Sequence, residues 1–393
     1  DANSGVINLG TTTVTGTVAL NTNGTGNATF DNDTSNLDLA TSSVGGDLTV
    51  TSGATAGITD SGNVTVAGNL IATTDAGSGV INMGSLVVTG TIALTTNGTG
   101  DATIVNTLNV DLASASVGGA LTVTASTSDI TDTGTLTVTG ASIFNVTVSG
   151  SNIILDDASN AFTGAVTMQA NAGAGTFGNV TFVDSGAVNL HSAASAAGDL
   201  YFNGGTDDQI GGTLSVTATT GNITDTTNIT VTGTSSFTTL ADTATITLDN
   251  TNAYAGAVTL TTTDSTGTDS NAEIDNGTTA LILAASTVVG NLMVTSGNVA
   301  GITDSGAVTV AGNLIATTDG GDGVINLGTT TVTGTMDLTT NGSGNATIDN
   351  DTSDIVLIAS EIGGDLTLTS GAAAGITDTG TVTVAGNLIA TTD

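Results

Sequence analysis

Carboxylates are the only ionised side chains this sequence has in number, so any chemistry begins with them: 35 Asp and Glu stand against no Lys or Arg and one His in 393 residues. Two loops gather them most densely. Asp31-Asn32-Asp33-Thr34-Ser35-Asn36 and Asp349-Asn350-Asp351-Thr352-Ser353-Asp354 present side-chain oxygens at alternating positions, as calcium loops do. Asp31, Asp33, Asp349 and Asp351 are therefore the candidate metal ligands, and Ca2+ is the only cofactor the sequence offers. The corresponding stretch one repeat later, Val105-Asn106-Thr107, carries no acid. Asp and Asn also suit solvated turns, so the turn reading stands beside the metal one. A further aspartate recurs in Ile-Thr-Asp at Asp60, Asp132, Asp225, Asp304 and Asp378, where a turn-forming carboxylate that accepts backbone amides is expected. Asp156 and Asp157 are adjacent and would point apart on a strand, which speaks against a paired-carboxylate acid/base centre. His191 has no partner motif. No catalytic residue emerges, and the chain reads as a non-enzyme.

The composition removes further classes. A formal charge of −35 without one basic side chain gives no contacts to phosphate, which excludes nucleic acid and anionic membrane surfaces as partners. No apolar run approaches the ~20 residues of a membrane helix. The absence of Cys excludes disulfides and thiol catalysis, and Pro and Trp are missing too. A carbohydrate-active β-helix enzyme would ordinarily need basic residues beside its acid, and there are none. Two binding chemistries remain. Runs such as Thr11-Thr12-Thr13-Val14-Thr15, Thr135-Leu136-Thr137-Val138-Thr139 and Thr381-Val382-Thr383 would space hydroxyls on a flat face, as ice-binding solenoids do, although any exposed strand favours Thr. Asn27-Ala28-Thr29, Asn63-Val64-Thr65, Asn145-Val146-Thr147 and Asn345-Ala346-Thr347 fit the glycan-acceptor pattern. A glycan-binding or ice-binding module is thus the alternative function, with its specificity expected around Asn171 to Asp208.

The elements that would position these groups are strands. Only 9% of residues are charged while 38% are hydrophobic, and Val, Ile and Leu alternate with Thr, Asn and Asp, which argues for half-buried strands and against disorder. Repetition sets the architecture. GVINLG at Gly5–Gly10 returns as GVINMG at Gly79–Gly84 and GVINLG at Gly323–Gly328, and NLIATTD ends at Asp75, Asp319 and Asp393. Five long repeats of about 74–96 residues follow, at about 1–74, 75–148, 149–244, 245–318 and 319–393, the third expanded. Each contains shorter units of the pattern apolar-x-Gly-x-apolar-x-apolar, such as Val44-x-Gly46-x-Leu48-x-Val50 and Val66-x-Gly68-x-Leu70-x-Ala72. The expected fold is all-β: a parallel β-helix or β-solenoid of about sixteen coils of 21–34 residues, continuous over 1–393. The pattern glycine marks a corner that needs either φ > 0 or an approach too close for a Cβ. Phe144, Phe162, Phe202, Phe237 and Tyr254 occupy apolar slots and are expected in the core. Asp393 stands in the phase of Asp1, so the chain reads as a segment of a longer array, or as a unit that stacks end to end.

GGDLTVTSG (Gly45–Gly53), ITDSGNVTVAG (Ile58–Gly68), ITDTGTLTVTG (Ile130–Gly140) and NAFTGAVTM (Asn160–Met168) resemble the β-strand repeats of large secreted bacterial surface proteins of the filamentous-haemagglutinin and autotransporter-passenger type. The resemblance covers practically the whole chain. It implies a right-handed parallel β-helix, an extracellular or cell-surface location, and a role as adhesin stalk or surface fibre without catalytic residues. Expected partners are copies of the chain itself, end to end or side by side, together with surface glycans or divalent cations.

Overall fold

The alternation is realised coil after coil. In the computed structural model, which describes residues 4–171, 175–191, 196–203, 209–267, 269–371 and 375–392, the strand Leu48–Ser52 buries Leu48, Val50 and Ser52 and leaves Thr49 and Thr51 half-exposed. Strands Leu121–Ala125, Ser142–Val146 and Leu366–Ser370 repeat that pattern. Successive side chains on a strand point to opposite faces, so a period of two in sequence becomes one apolar and one polar surface. The inward set is almost entirely Val, Leu, Ile and Ala, with exposures near zero. No α-helix occurs among the described residues, and none of their segments is a helix long and apolar enough to cross a membrane.

The chain divides into two compact units, Asp1–Ser185 with Ala193–Asp208, and Gly186–Ser192 with Gln209–Asp393. Both are parallel β-solenoids, with about seventeen turns in all. In the first unit one column of in-register residues runs Ala28, Leu48, Leu70, Ile92, and another runs Ile81, Ala102, Leu121, Ser142, Val166, Leu200. In the second, a column runs Val188, Ile223, Ile246, Ala272, Leu292, Leu314, Met336. Each strand therefore finds its hydrogen-bond partner about one coil away, and no single coil could satisfy its own backbone.

The corner glycines distinguish between their two expected causes. Gly90 and Gly312 do not have positive φ; instead a Cβ at Gly90 would lie 2.7 Å from the carbonyl carbon of Gly68, and one at Gly312 would lie 2.7 Å from that of Gly290. Close stacking of one corner on the next is what requires glycine there. The aromatic residues occupy the core as expected: Phe144, Phe202, Phe237 and Tyr254 are fully buried and Phe162 nearly so. Phe144 meets Phe162 edge-on at 5.9 Å in the first unit, and Phe237 meets Tyr254 at 5.5 Å in the second.

Candidate functional site

The two acidic loops sit at strand ends. Asp31 closes the strand Ala28–Asp31 and Asp349 closes Ala346–Asp349. Asp31 accepts the N–H of Asp33 at 2.8 Å and Asp349 that of Asp351 at 3.1 Å, while Asp33 (φ 47°) and Asp351 (φ 30°) turn the chain through the left-handed region. Short polar side chains tolerate that conformation and fold back on their own backbone. Asn32 and Asn350, which lie between the acids, point inward and are fully buried. Each loop thus offers two carboxylates, one of them holding its own turn, where calcium takes about six to eight oxygens. Among the described residues no three Asp, Glu or His side chains converge on a point that would hold a metal ion. The donor set does not fit a metal cage, and no chemistry is routed through one.

The residue that recurs at this position is the asparagine. Asn32 accepts the N–H of Val14 at 2.7 Å and donates to the Val14 carbonyl at 3.0 Å and to that of Asn36. Asn350 clamps Val332 (2.7 and 3.1 Å) and the Asp354 carbonyl in the same way. Asn106, in the acid-free second repeat, clamps Val88 (2.8 and 3.0 Å) and Asn109, and Asn276 clamps Tyr254 (2.7 and 3.1 Å) and Ala280. A carboxamide has one acceptor and two donor hydrogens on a fixed plane, which is what a backbone N–H, its own C=O and a turn carbonyl require together. The sequence reading passed over this residue; the signal was Asn recurring 74 residues apart at 32 and 106 and again at 276 and 350.

The Ile-Thr-Asp aspartates do accept backbone amides, and those amides belong to the following coil. Asp60 takes the N–H groups of Gly84 and Ser85 at 2.8 and 2.7 Å, and Asp304 those of Gly328 and Thr329 at 2.9 and 2.8 Å. Asp132 takes those of Asp156 (2.8 Å) and Asp157 (3.4 Å) and also the Asn160 carboxamide at 2.6 Å. Asp156 and Asp157 therefore act through their backbone. Asp225 is held by the backbone and side chain of Asn250 and by Asn252 at 2.6 Å. Asp132 and Asp225 are buried, and desolvation raises both carboxyls above the usual carboxylate value in spite of these hydrogen bonds.

A further ladder runs along the corners outside the core. Asn27 accepts the N–H of Asp47 (2.9 Å), Asp47 that of Asn69 (2.8 Å), and Asn69 that of Thr91 (2.9 Å). In the second unit Asn271, Asn291 and Asn313 accept from Asn291, Asn313 and Thr335 at 2.7, 2.8 and 2.8 Å, and Asn345 and Asp365 from Asp365 and Asn387 at 2.7 Å each. Asn27 and Asn345, read also as glycan acceptors, are thus members of the ladder. His191 is half-exposed, and parts of the stretch 171–208, like Asp1 and Asp393, lie outside the described residues. What these polar groups do in common is fasten one coil to the next.

Five segments of the chain, 25–83, 99–169, 170–261, 269–327 and 343–392, match the model of a family described as repeats of unknown function (DUF5649). They cover well over half of the sequence. The chain belongs to this family. The third segment is the longest, in keeping with the expanded middle repeat. No curated protein and no solved structure is similar enough to the chain to match it.

Proposed function

We propose that this chain is a load-bearing segment of an extracellular surface fibre or adhesin stalk of the filamentous-haemagglutinin and autotransporter type, a structural element and not an enzyme. The observation that carries this reading is the ladder: in each unit the polar side chains singled out above are engaged in holding adjacent coils together. An architecture whose bonds all lie between neighbours suits a part that must keep its length under tension. The charge of −35 on a chain with no Lys or Arg keeps side surfaces apart and leaves no trypsin-type cleavage site.

The ice- or glycan-binding alternative has less support. The outward column that begins Thr29, Thr49 continues as Ile71 and Ala93 on the next two coils, which interrupts a lattice of hydroxyls.

Two measurements test the proposal. Antibodies against the chain should label intact source cells; labelling only after permeabilisation would overturn the location. Pulled from its two ends, a single chain should yield a series of force peaks as coils peel away, and extension without peaks would remove the load-bearing role.

A further inference from the structure

The coil 376–392 presents an open face. Its strand Leu388–Thr392 is exposed throughout, with Leu388 at 59% and Ile389 at 56%. A concavity of about 140 Å³ opens there, lined by Leu357, Leu366, Leu368, Ile376, Val382 and Leu388 among others. The same coil exists elsewhere in the chain fully covered. Residues 302–318 differ from 376–392 only at Ser305 and Ala307, where the latter has Thr379 and Thr381, and there Ile302, Val308 and Leu314 are 0% exposed.

What covers 302–318 is the coil 323–338, which differs from residues 5–20 only at Met336 and Asp337, where the latter has Val18 and Ala19. The register of that junction is Ile302 on Ile325, Thr303 on Asn326, Val308 on Thr330 and Leu314 on Met336. It recurs in the first unit, where Ile58, Thr59, Val64 and Leu70 lie on Ile81, Asn82, Leu86 and Ile92. Residues 5–20 are themselves open on the matching side, with Val6 71% and Leu9 48% exposed. Thr11 there is left-handed at φ 51°, whereas its counterparts Ser85 and Thr329, whose amides are held by Asp60 and Asp304, are not.

The geometry points to a second copy of this chain as the occupant of the open face, docked head to tail so that residues 5–20 of one copy continue the solenoid from residues 376–392 of the other. The inference rests on the fibre reading and names the partner within it. Transferring the internal junction sets Ile7 on Ile376, Asn8 on Thr377, Thr12 on Val382 and Val18 on Leu388. It supplies partners for the outermost polar groups as well. Asp378 receives the amides of Gly10 and Thr11, as Asp304 receives those of Gly328 and Thr329, and the Asn387 carbonyl receives the N–H of Thr17, as Asn313 receives that of Thr335. A heterologous contact of this kind does not close on itself and propagates as a filament.

The test uses the absence of cysteine. Chains carrying Asn8→Cys and chains carrying Thr377→Cys are mixed and oxidised; both positions face solvent, and parallel neighbours in register stand about 4.8 Å apart, within disulfide reach. The expected product is a mixed dimer, with none from the out-of-register pair Asn8→Cys and Thr383→Cys. Self-dimers of Thr377→Cys would indicate tail-to-tail pairing and overturn the proposal, as would a chain that sediments as a monomer at about 100 µM. Thr17→Pro supplies an independent arm. In both counterparts of Thr17 this N–H is turned to the preceding coil, so its loss should leave folding by circular dichroism intact and weaken association at least tenfold; unchanged association would overturn the register. Peptide mapping of the native protein that found an in-phase repeat joined after residue 392 would give the face to the same polypeptide and overturn the copy-to-copy assignment. The two readings fail separately: a monomer that labels intact cells and resists pulling keeps the stalk and removes the stacking, and a stacking chain found only inside cells does the reverse.

Discussion

Asp60 and Asp132 occupy the same tripeptide, Ile-Thr-Asp, and take amides from the same place one coil later, yet they live in different surroundings. Asp60 meets Gly84 and Ser85, which lead directly on through the strand Ile81–Val88, and its carboxylate stays half-exposed. Asp132 meets Asp156 and Asp157, which open a turn that delays the next strand until Ala161–Phe162. That turn swings Asn160 over the carboxylate and seals it from water. The second unit repeats the contrast: Asp304 under Gly328 and Thr329 is half-exposed, and Asp225 under Asn250 and Asn252 is buried. The surroundings of an acid in a solenoid are written about 24 residues downstream, in the length of the turn that lands on it.

The largest effect should come from removing such a cover. Asn252→Leu takes the carboxamide from Asp225 and also leaves the buried N–H of Ile229, bound at 2.8 Å to the Asn252 oxygen, without an acceptor. Losing a hydrogen bond to a buried charge and stranding a buried amide together cost on the order of 4 kcal/mol. Urea denaturation at pH 7 measures this, and a loss below about 1 kcal/mol would show that the cover is incidental. Ser85→Ala above the open Asp60 keeps the backbone N–H that makes the bond and should change stability by less than about 0.5 kcal/mol.

The pH dependence should separate the two kinds of aspartate next. Burial, opposed by hydrogen bonds and assisted by Asp156 near Asp132 and Asp249 near Asp225, raises both sealed carboxyls above their usual value of 3.8. A carboxyl with a higher pKa folded than unfolded favours the fold while it is protonated, so its contribution is full below 3.8 and is lost as pH rises through the folded value. Glu273, Asp275 and Asp337, also raised by burial, act in the same direction; Asp264, lowered by the Thr266 amide and its neighbours, acts in the opposite one. The urea midpoint should therefore fall as pH rises from about 4 toward 7, and Asp132→Asn with Asp225→Asn should flatten that slope. A midpoint that rises over the same range would contradict the assignment.

Much of this architecture was legible because it is periodic. Alternation gave the strands, the recurrence of GVINLG and NLIATTD gave the long repeats, and the aromatic residues fell in slots that could only face inward. The asparagine clamps were not legible in the same way. Asn32 stands between two acids, and a reading along the chain sees a ligand loop, whereas its partners Val14 and Asn36 become neighbours only when the coils stack. The same holds for the sealed aspartates. Nothing adjacent to Asp132 distinguishes it from Asp60, because a one-dimensional pattern records which residues repeat and not which turn covers them.

The smallest and most diagnostic effect concerns how dry the sealed region is. Tyr254 is wholly buried against Phe237, with its backbone clamped by Asn276, and its hydroxyl finds no hydrogen-bond partner among the described residues. Burial first, and then the charge of Asp225, push the phenol well above its usual value, which places the hydroxyl in the same low-polarity environment as that carboxylate. Removing an unpartnered buried hydroxyl relieves a desolvation penalty while keeping the ring and its edge-on contact, so Tyr254→Phe should leave stability unchanged or raise it by about 1 kcal/mol. Thermal or urea unfolding decides the sign. A loss of more than about 1 kcal/mol would mean that the hydroxyl is satisfied after all, and the most direct candidate is a protonated Asp225 donating to it. In that case the loss should vanish as pH rises through the Asp225 value, which would turn the contrast between sealed and open aspartates from one of burial into one of proton occupancy.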